Sequence, residues 1–335
     1  MLSSESPGRV IERRDTGIDA EHAFVAVLCG PDGHVLRAIG PGARTAWRSA
    51  AKPFQLEVAL SALPPSLTSG LDDRDLALGA ASHSGQPAHV ERVRELGRRL
   101  GASEGELRCG AHPPVHEASA GALWREGKLA EPIHNNCSGK HTFMVAATAA
   151  LGDPGGDYRR PDSPYQARLR ARVAEVTGLP VRDVLTAVDG CGVPCFSLSL
   201  TAMATAYARL SEAMARTGEP GHAGTWLGRI GWAMQREPWW MSGDGRLDLD
   251  LVRGATEPIV SKVGAAGLHC IAIPGRGLGL AVKVLSGSDV ARPVALELAL
   301  ARWLPGLVPG NVFQEARTIR NVVGDIVGGR EAVPG

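Results

Sequence analysis

Two patterns typical of β-hairpins lie near opposite ends of this 335-residue chain. Apolar runs flank Gly30-Pro31-Asp32-Gly33 within residues 21–40, and a second pair flanks Pro274-Gly275-Arg276-Gly277 within residues 268–287. A Gly/Pro-rich turn between two apolar runs is a strong hairpin signal. Residues 320–328 predict one more short strand. Strands from both termini therefore predict a shared antiparallel sheet.

The middle of the chain favours helices. Amphipathic spacing predicts helices over residues 87–101 and 163–178, and a long alanine-rich helix over residues 195–218 that ends on a C-capping glycine. Residues 291–304 show helical spacing after a proline near their start, whereas residues 151–164 predict a loop. We expect an α/β (α+β) fold, with the antiparallel sheet flanked by helices and an additional all-helical lobe.

The length predicts one catalytic domain of two intimately packed lobes. The sheet lobe is expected over residues 15–50 and 255–330, and the helical lobe over residues 51–254, because a single core usually stops growing near about 250–300 residues. A hydrophobic content of 44% is enough for a sizeable core.

The charge pattern disfavours nucleic acid and anionic membranes as partners. Lys and Arg (36) nearly balance Asp and Glu (35), and no basic stripe with interleaved aromatic residues occurs. A small-molecule substrate fits better. The polar first residues lack the apolar run of a signal peptide, and no stretch approaches the about 18 apolar residues of a membrane span. We therefore expect a cytoplasmic protein with reduced cysteines.

Ser49 and Lys52 stand three positions apart, immediately before Pro53. Pro53 predicts that a helix begins close to Ser49, and three-residue spacing puts both side chains on one side of its first turn. The positive end of the helix dipole would lower the pKa of Lys52 and stabilise an oxyanion near Ser49. The pair is therefore either a nucleophile with its base or the polar start of an ordinary helix, since Ser-x-x-Lys also occurs by chance.

Two further segments resemble parts of the penicillin-recognising enzymes. Ser82-His83-Ser84 lies in a loop of small residues, and Lys262-Val263-Gly264 stands at the entry to the C-terminal hairpin. With Ser49 and Lys52 they follow the order S-x-x-K, serine loop, K-T-G, although no Asn occurs in the second part and Val263 replaces Thr in the third. A second serine and lysine would relay protons and hold an anionic substrate group.

A third group of residues combines cysteines with a lysine. Cys137 and Lys140 are three apart, and Asp189 and Cys191 lie in a loop constrained by glycine and proline. Two thiolates with a nitrogen or water ligand suit zinc, but two reduced structural cysteines explain the spacing equally well. His83, like His134 and His141, is a candidate for acid–base work, although a hydrogen-bonded organising role is the commoner one for such a histidine.

Together these motifs resemble the Rhizobium etli-type L-asparaginases. The resemblance covers about residues 20 to 330 and rests on five segments in family order: RSAAKPFQ, ASHSGQPAHV, HNNCSGKHTF, VDGCGVP and MSGDGRLD. It implies a serine hydrolase fold of the β-lactamase/glutaminase type, a homodimer, and the conversion of L-asparagine to L-aspartate and ammonia.

The resemblance also implies roles for single residues. Ser49 and Lys52 are similar to the family's first Ser–Lys dyad, and Ser82 and Lys262 to its second. The implied zinc-binding set is Cys137, Lys140 and Cys191. As substrate-binding residues we expect Arg48, Asp189 and His83, of which Arg48 and Asp189 would hold the α-carboxylate and α-amino groups.

The sequence departs from the family pattern at two places. Gln86 stands where SHxGE has Glu, and Thr142-Phe143 replaces a small Ala-Gly pair. The expected function is an L-asparaginase that works through an acyl-enzyme on Ser49. The alternatives are a glutaminase or another serine amidohydrolase of the same fold, and a non-enzymatic, zinc-stabilised binding protein.

Overall fold

The computed structural model describes residues 3–4, 6–153, 155–217 and 224–335. The chain divides into two compact units. The sheet unit comprises Met1–Ala50, Leu198–Glu212 and Asp250–Gly335, and the helical unit comprises Ala51–Ser197 and Ala213–Leu249. Residues 198–212, expected in the helical lobe, are therefore grouped with the sheet. The single catalytic domain stays a prediction.

The strands of the described residues are numbered in chain order. They are β1 (Ser3–Ser4), β2 (Gly8–Arg14), β3 (Gly17–Cys29), β4 (Val35–Ile39), β5 (Arg44–Ala46), β6 (Leu185–Val188), β7 (Pro194–Ser199), β8 (Val260–Gly264), β9 (Leu268–Ile273), β10 (Leu278–Val284), β11 (Thr318–Arg320) and β12 (Ile326–Val333).

The helices are numbered in the same way. They are α1 (Lys52–Ala62), α2 (Pro65–Thr68), α3 (Asp73–Gly79), α4 (Pro87–Leu100), α5 (Glu117–Arg125), α6 (Ser138–Ala150), α7 (Pro164–Thr177), α8 (Leu200–Arg216), α9 (Trp226–Arg236), α10 (Pro238–Ser242), α11 (Leu247–Gly254), α12 (Arg292–Trp303) and α13 (Gln314–Arg317). A 3₁₀ turn, Arg48–Ala51, leads directly into α1.

The sheet unit is built around strands from both ends of the chain, which confirms the predicted antiparallel sheet. The strand order is β11-β12-β2-β3-β10-β9-β8, with β4 antiparallel to β3 and β1 parallel to β4. All six residues of β9 are buried, which requires cover on both faces of the sheet. Helix α12 packs against β10, and α8 approaches so closely that a Cβ added at Gly279 would lie 2.0 Å from the carbonyl oxygen of Ala204.

The helical unit is centred on α1. This helix contacts α3, α6, α7 and α9, and its residues from Lys52 to Leu60 are all buried. A helix that is buried all round lies in the core of its unit. Lys52 is the first residue of α1, so its charged side chain is buried away from water.

Most elements predicted from periodicity are present. Both hairpins are confirmed by antiparallel pairing of β3 with β4 and of β9 with β10. The predicted helices appear as α4, α7 and α12, and the first two end on Gly101 and Gly178 in the left-handed conformation that glycine favours. Lys262, predicted to stand at the entry to the C-terminal hairpin, lies in β8, which pairs with β9 at the end of the strand order.

The long helix predicted over residues 195–218 is wrong at its start. Pro194–Ser199 forms β7, which pairs antiparallel with β6, and helix α8 begins only at Leu200. The reason is local composition, because the alanine-rich sequence begins at Ala202 and the preceding Cys195 and Phe196 bury their side chains in a strand. Gly218, the predicted cap, lies outside the described residues.

The last predicted strand is displaced. Residues 321–325 form a turn in which Asn321 Oδ1 accepts hydrogen bonds from the amides of Val323 (3.1 Å) and Asp325 (2.9 Å). Such a side-chain-to-backbone turn competes with extended structure. Strands β11 and β12 therefore lie on either side of it. Among the described residues, no helix has the length and apolar character needed to cross a membrane.

Candidate active site

Lys52 lies in the core of the helical unit with 1% of its surface exposed. Its ammonium nitrogen donates hydrogen bonds to the carbonyl oxygen of Ala81 (2.5 Å), to Ser82 Oγ (2.9 Å) and to the carbonyl oxygen of Asn136 (3.5 Å). The structure thus brings together two of the four residues predicted to be catalytic, Lys52 and Ser82.

The pKa of Lys52 is lowered from its ordinary value. Burial is the largest cause, and the Lys140 cation acts in the same direction, whereas the Cys137 thiolate opposes them. A lysine with a lowered pKa supplies more of the neutral amine at a given pH. Lys52 therefore has the environment that a general base requires.

Ser82 is held by its backbone as well as by Lys52. Its amide donates to the carbonyl oxygen of Met241 at 3.0 Å, and only 4% of the residue is exposed. These contacts fix the main chain of the serine loop, residues 82–86. The hydroxyl is therefore presented to Lys52 by a constrained backbone.

His83 is fully buried beside this serine. Its Nδ1 accepts a hydrogen bond from the amide of Gly85 (3.1 Å), so the proton is on Nε2, which donates to Ser138 Oγ (2.9 Å). Burial, with further contributions from nearby histidines and Lys52, holds the pKa of His83 well below its usual range. Both ring nitrogens are engaged by protein groups, which is typical of an organising histidine. A direct contact of His83 with substrate stays a prediction.

Cys137, Lys140 and Cys191 also lie together in the helical unit. Lys140 Nζ donates to Cys191 Sγ at 3.2 Å, and Cys191 donates a hydrogen bond to Cys137. All three residues are buried, and both cysteines are free of disulfides. Lys140 lies in the first turn of α6, and Cys137 precedes that helix.

The hydrogen bond between these two thiols moves their pKa values in opposite directions. The hydrogen bond from Cys191 holds the pKa of Cys137 well below the usual range of a thiol, against the effect of burial. The same hydrogen bond and burial raise the pKa of Cys191. Cys137 Sγ also lies 3.2 Å from the side-chain oxygen of Asn136, and a thiolate there requires the amide to turn its nitrogen toward the sulfur.

The chemistry of this cluster fits zinc if Lys140 acts as a third ligand in its neutral form. Two thiolates and a neutral amine are suitable zinc ligands. Within the described ranges, no group of three or more His, Cys, Asp or Glu residues is arranged to hold a metal, so Lys140 is needed as the third ligand. Burial alone would lower the pKa of Lys140, but attraction to Cys191 and Cys137 raises it. Binding of zinc would therefore release protons from both Lys140 and Cys191.

Asp189 lies in a tight loop next to the cysteines. Its amide donates to the carbonyl oxygen of Val193 (2.9 Å), and its carbonyl oxygen accepts from the amide of Gly192 (2.9 Å). The half-buried carboxylate contributes to raising the pKa of both Lys140 and Cys191. Asp189 thus adds negative charge near the cluster.

Ser49 belongs to the sheet unit and lies, half-buried, in the 3₁₀ turn that precedes α1. Tyr207 donates its hydroxyl to the carbonyl oxygen of Ala50 (2.8 Å), which anchors this turn. Arg48, immediately before Ser49, has φ = 50°, a left-handed conformation that is strained for a residue with a Cβ. Backbone strain of this kind is common at functional sites. The strained backbone beside Ser49 therefore adds a structural indication of function to the sequence motif.

Lys262 is fully buried in strand β8 of the sheet unit. Its ammonium nitrogen donates to the carbonyl oxygen of Val263 at 3.1 Å. The neighbouring Ser261 hydroxyl pairs with His269 Nε2 at 2.7 Å. The sheet unit thus also contains a buried lysine with a hydrogen-bonded serine beside it.

Several groups at this site were not predicted. The acceptors for Lys52 and for the Ser82 amide are backbone oxygens, which have no residue-type signature. Tyr158 accepts from the amide of Arg108 (2.6 Å) and therefore donates to His141 Nδ1 (2.8 Å). The Thr142-Phe143 departure from the family pattern is accommodated. Thr142 Oγ1 donates to the carbonyl oxygen of Ser138 (3.0 Å), and Phe143 packs where a Cβ at Gly79 would lie 2.6 Å from its ring.

The family model described as L-asparaginase II matches residues 10–325. The chain belongs to the L-asparaginase II family. The finer resemblance to the Rhizobium etli type stays a prediction. No curated protein matches this family member.

Similarity to solved structures is distant. The family member is 16% identical to native Mglu in 4.3 M NaCl, covering 83% of this chain and 59% of that one with a TM-score of 0.41. A second native Mglu structure is 15% identical, with 83% and 64% of the two chains covered and a TM-score of 0.41. A β-lactamase from Mycobacterium bovis is 16% identical, with 88% and 94% covered and a TM-score of 0.40. This chain spans 59% and 64% of the two Mglu chains.

Proposed function

We propose that the protein is an L-asparaginase that converts L-asparagine to L-aspartate and ammonia through an acyl-enzyme on Ser49. The observation that carries this proposal is the buried Lys52. Its pKa is lowered, and it follows Ser49 by one 3₁₀ turn in a chain of the L-asparaginase II family.

Lys52 is the proposed base. Lys52 is the first residue of α1 and follows Ser49 by three positions, a spacing that supports its role as the base for Ser49. Neutral Lys52 accepts the Ser49 proton as Ser49 Oγ attacks the side-chain carboxamide carbon. Backbone amides near Ser49 and strand β8 are the proposed donors to the oxyanion.

Ser82 is the proposed proton relay. Its hydroxyl accepts a hydrogen bond from Lys52 Nζ at 2.9 Å, so a proton received by Lys52 can pass through Ser82 to the leaving nitrogen. The C–N bond breaks and ammonia leaves with that proton. Water then attacks the ester, and its proton returns to Ser49 by the reverse route. Lys262 is proposed to assist the second half of the reaction.

Arg48, Asp189 and His83 are the proposed substrate-binding residues. A guanidinium suits the α-carboxylate and a carboxylate suits the α-ammonium group of an amino acid. The charges of Arg48 and Asp189 support these roles. His83 contributes as a neutral side chain, since burial lowers its pKa.

Zinc is a proposed constituent held by Cys137, Lys140 and Cys191. When bound, the metal supplies positive charge beside Lys52, which would favour the neutral base. A homodimer is proposed from the family resemblance alone, and light scattering of the purified protein would test it.

Ammonia release from L-asparagine and L-glutamine tests the proposed function. Ser49→Ala is compared with Ser61→Ala, the same change at an exposed serine of α1. We expect release from L-asparagine that Ser49→Ala lowers by about 10³-fold or more and Ser61→Ala leaves unchanged. Near-normal turnover by Ser49→Ala would reject the nucleophile. Release from L-glutamine alone would identify a glutaminase, and none from any amide tested would favour the binding protein.

A further inference from the structure

A segment distant in sequence holds the serine loop. Residues 241–244, the clamp segment, contact residues 82, 84 and 86 of the loop in turn. The Ser82 amide donates to the carbonyl oxygen of Met241 (3.0 Å), and Ser84 Oγ donates to that of Ser242 (2.7 Å). Contacts at every second residue fix the direction of the loop as well as its position.

The third contact is a reciprocal pair of hydrogen bonds. Gln86 Nε2 donates to Asp244 Oδ2 at 2.7 Å, and the Asp244 amide donates to Gln86 Oε1 at 3.0 Å. A primary amide supplies both the donor and the acceptor, whereas an ionised carboxylate at residue 86 would supply acceptors only. Gln86 is 8% exposed, so loss of a partner there carries the penalty of a buried unsatisfied group.

The backbone of the clamp segment is adapted to this pair. Gly243 has φ = 99°, a conformation that residues with a side chain rarely adopt. A Cβ there would lie 2.6 Å from both Gln86 Oε1 and Ser84 Oγ. Any other residue at position 243 would push the segment away from the loop. The close approach therefore depends on glycine.

We propose that Gln86 and Asp244 are positioning residues for the reaction. They keep the serine loop in register so that Ser82 Oγ meets Lys52 Nζ, and neither needs to contact the substrate. This inference rests on the proposed function of Ser82 as proton relay. It predicts that damage to the pair lowers kcat and leaves KM nearly unchanged.

The surroundings of the pair allow a charge test. Trp239 Nε1 donates to Asp244 Oδ1 (2.9 Å), and His89 of α4 faces the same carboxylate. Burial lowers the pKa of His89 to about 4, so His89 stays neutral above pH 5. Glu237, just before α10, is paired with Arg74 (3.7 Å).

The decisive variant is Gln86→Glu, which sets two carboxylates against each other. They can share one proton at low pH and keep a hydrogen bond, but they repel once that proton is lost. We expect kcat to fall by about 10–100-fold relative to the parent as pH rises from 5.5 to 8.5. The double variant Gln86→Glu, Asp244→Asn restores the hydrogen bond, with the amide donor now at residue 244 and the carboxylate acceptor at residue 86. Its kcat should be within about threefold of the parent's at every pH.

Gln314→Glu makes the same chemical change at an exposed position and should leave the pH profile unaltered. Equal kcat profiles for Gln86→Glu and Gln314→Glu would overturn the positioning role. So would failure of the double variant to recover activity while it unfolds at the parent's temperature.

Hydrogen exchange at the Ser82 amide distinguishes failure of this inference from failure of the proposed function. Exchange should accelerate in Gln86→Glu at pH 8.5 and return to the parental rate in the double variant, whatever the substrate is. If the parent releases no ammonia, the proposed function fails and this exchange still decides whether the pair holds Ser82. Unchanged exchange in Gln86→Glu would overturn the inference on its own.

Discussion

The starts of α1 and α6 each bury a lysine completely, yet the pKa values of the two lysines move in opposite directions. Lys52 has carbonyl and hydroxyl acceptors, and burial lowers its pKa. Lys140 is also penalised by burial, but its attraction to Cys191 and Cys137 raises its pKa. The difference therefore comes from the partners and not from the depth of burial.

This contrast separates two possible roles for a buried lysine. The hydrogen-bond acceptors of Lys52 are carbonyl and hydroxyl groups, and attraction to Cys137 does not offset burial, so the pKa of Lys52 stays lowered, as a base requires. Attraction to Cys137 and Cys191 compensates the charge of Lys140, which favours the cation in the metal-free protein and makes Lys140 a ligand only when a metal displaces its proton. Substitution of either lysine, or of the groups around it, tests this contrast.

The largest effect is expected from Lys52→Met. Without its base the enzyme should lose about 10³–10⁴-fold in kcat on L-asparagine while remaining folded. Lys140→Met, which removes an equally buried lysine, should cost less than about a hundredfold. Ammonia release and circular dichroism of both variants provide the measurement. Equal losses would mean that the two lysines do not differ in role.

The sequence predicted the motifs and the ends of α4 and α7 but not this contrast. Ser49, Lys52 and the two cysteines follow from local spacing, and Gly101 and Gly178 mark helix ends by their own conformational preference. The partners that separate the two lysines come from distant segments, and several are backbone oxygens such as that of Ala81. Side-chain type gives no indication of where such an oxygen will lie.

The next effect concerns the charge around Lys140. Cys137→Ser with Cys191→Ser removes the thiolate and leaves the buried cation without compensation. The metal-free variant should lose about 3–5 kcal/mol of unfolding free energy in urea, and further Lys140→Met should recover part of it.

Metal analysis of the same proteins tests the ligand set. The double serine variant should lose zinc that the parent binds. Retained zinc would exclude the two cysteines as ligands, and unchanged stability would contradict the charge argument.

A pH dependence follows from the lowered pKa of Lys52. The neutral form is the active one, so kcat/KM should rise about tenfold per pH unit until pH passes the folded-state pKa, which lies below the ordinary 10.5. Between the folded-state pKa and 10.5 the unfolded chain binds more protons, so stability rises with pH in that window.

Urea unfolding across this pH range provides the matching measurement. In Lys52→Met the increase of the unfolding free energy with pH should disappear. In Lys128→Met, which changes an exposed lysine, the increase should remain. Identical slopes in the two variants would count against a lowered pKa for Lys52.

The smallest expected effect is on the strained residue before Ser49. Arg48→Gly and Arg48→Ala remove the same charge, but only glycine relieves the left-handed backbone at φ = 50°. Arg48→Gly should therefore be more stable than Arg48→Ala by about 1 kcal/mol in urea unfolding. A more stable alanine variant would show that the left-handed backbone is not strained.

In the proposed reaction Ser49 carries the acyl group while Lys52 serves as base. Mass spectrometry of protein quenched with acid during turnover of L-asparagine tests it most directly, with peptide mapping of any adduct. We expect an aspartyl ester on Ser49 that is absent from Ser49→Ala. An ester on Ser82, or full ammonia release by Ser49→Ala, would contradict it.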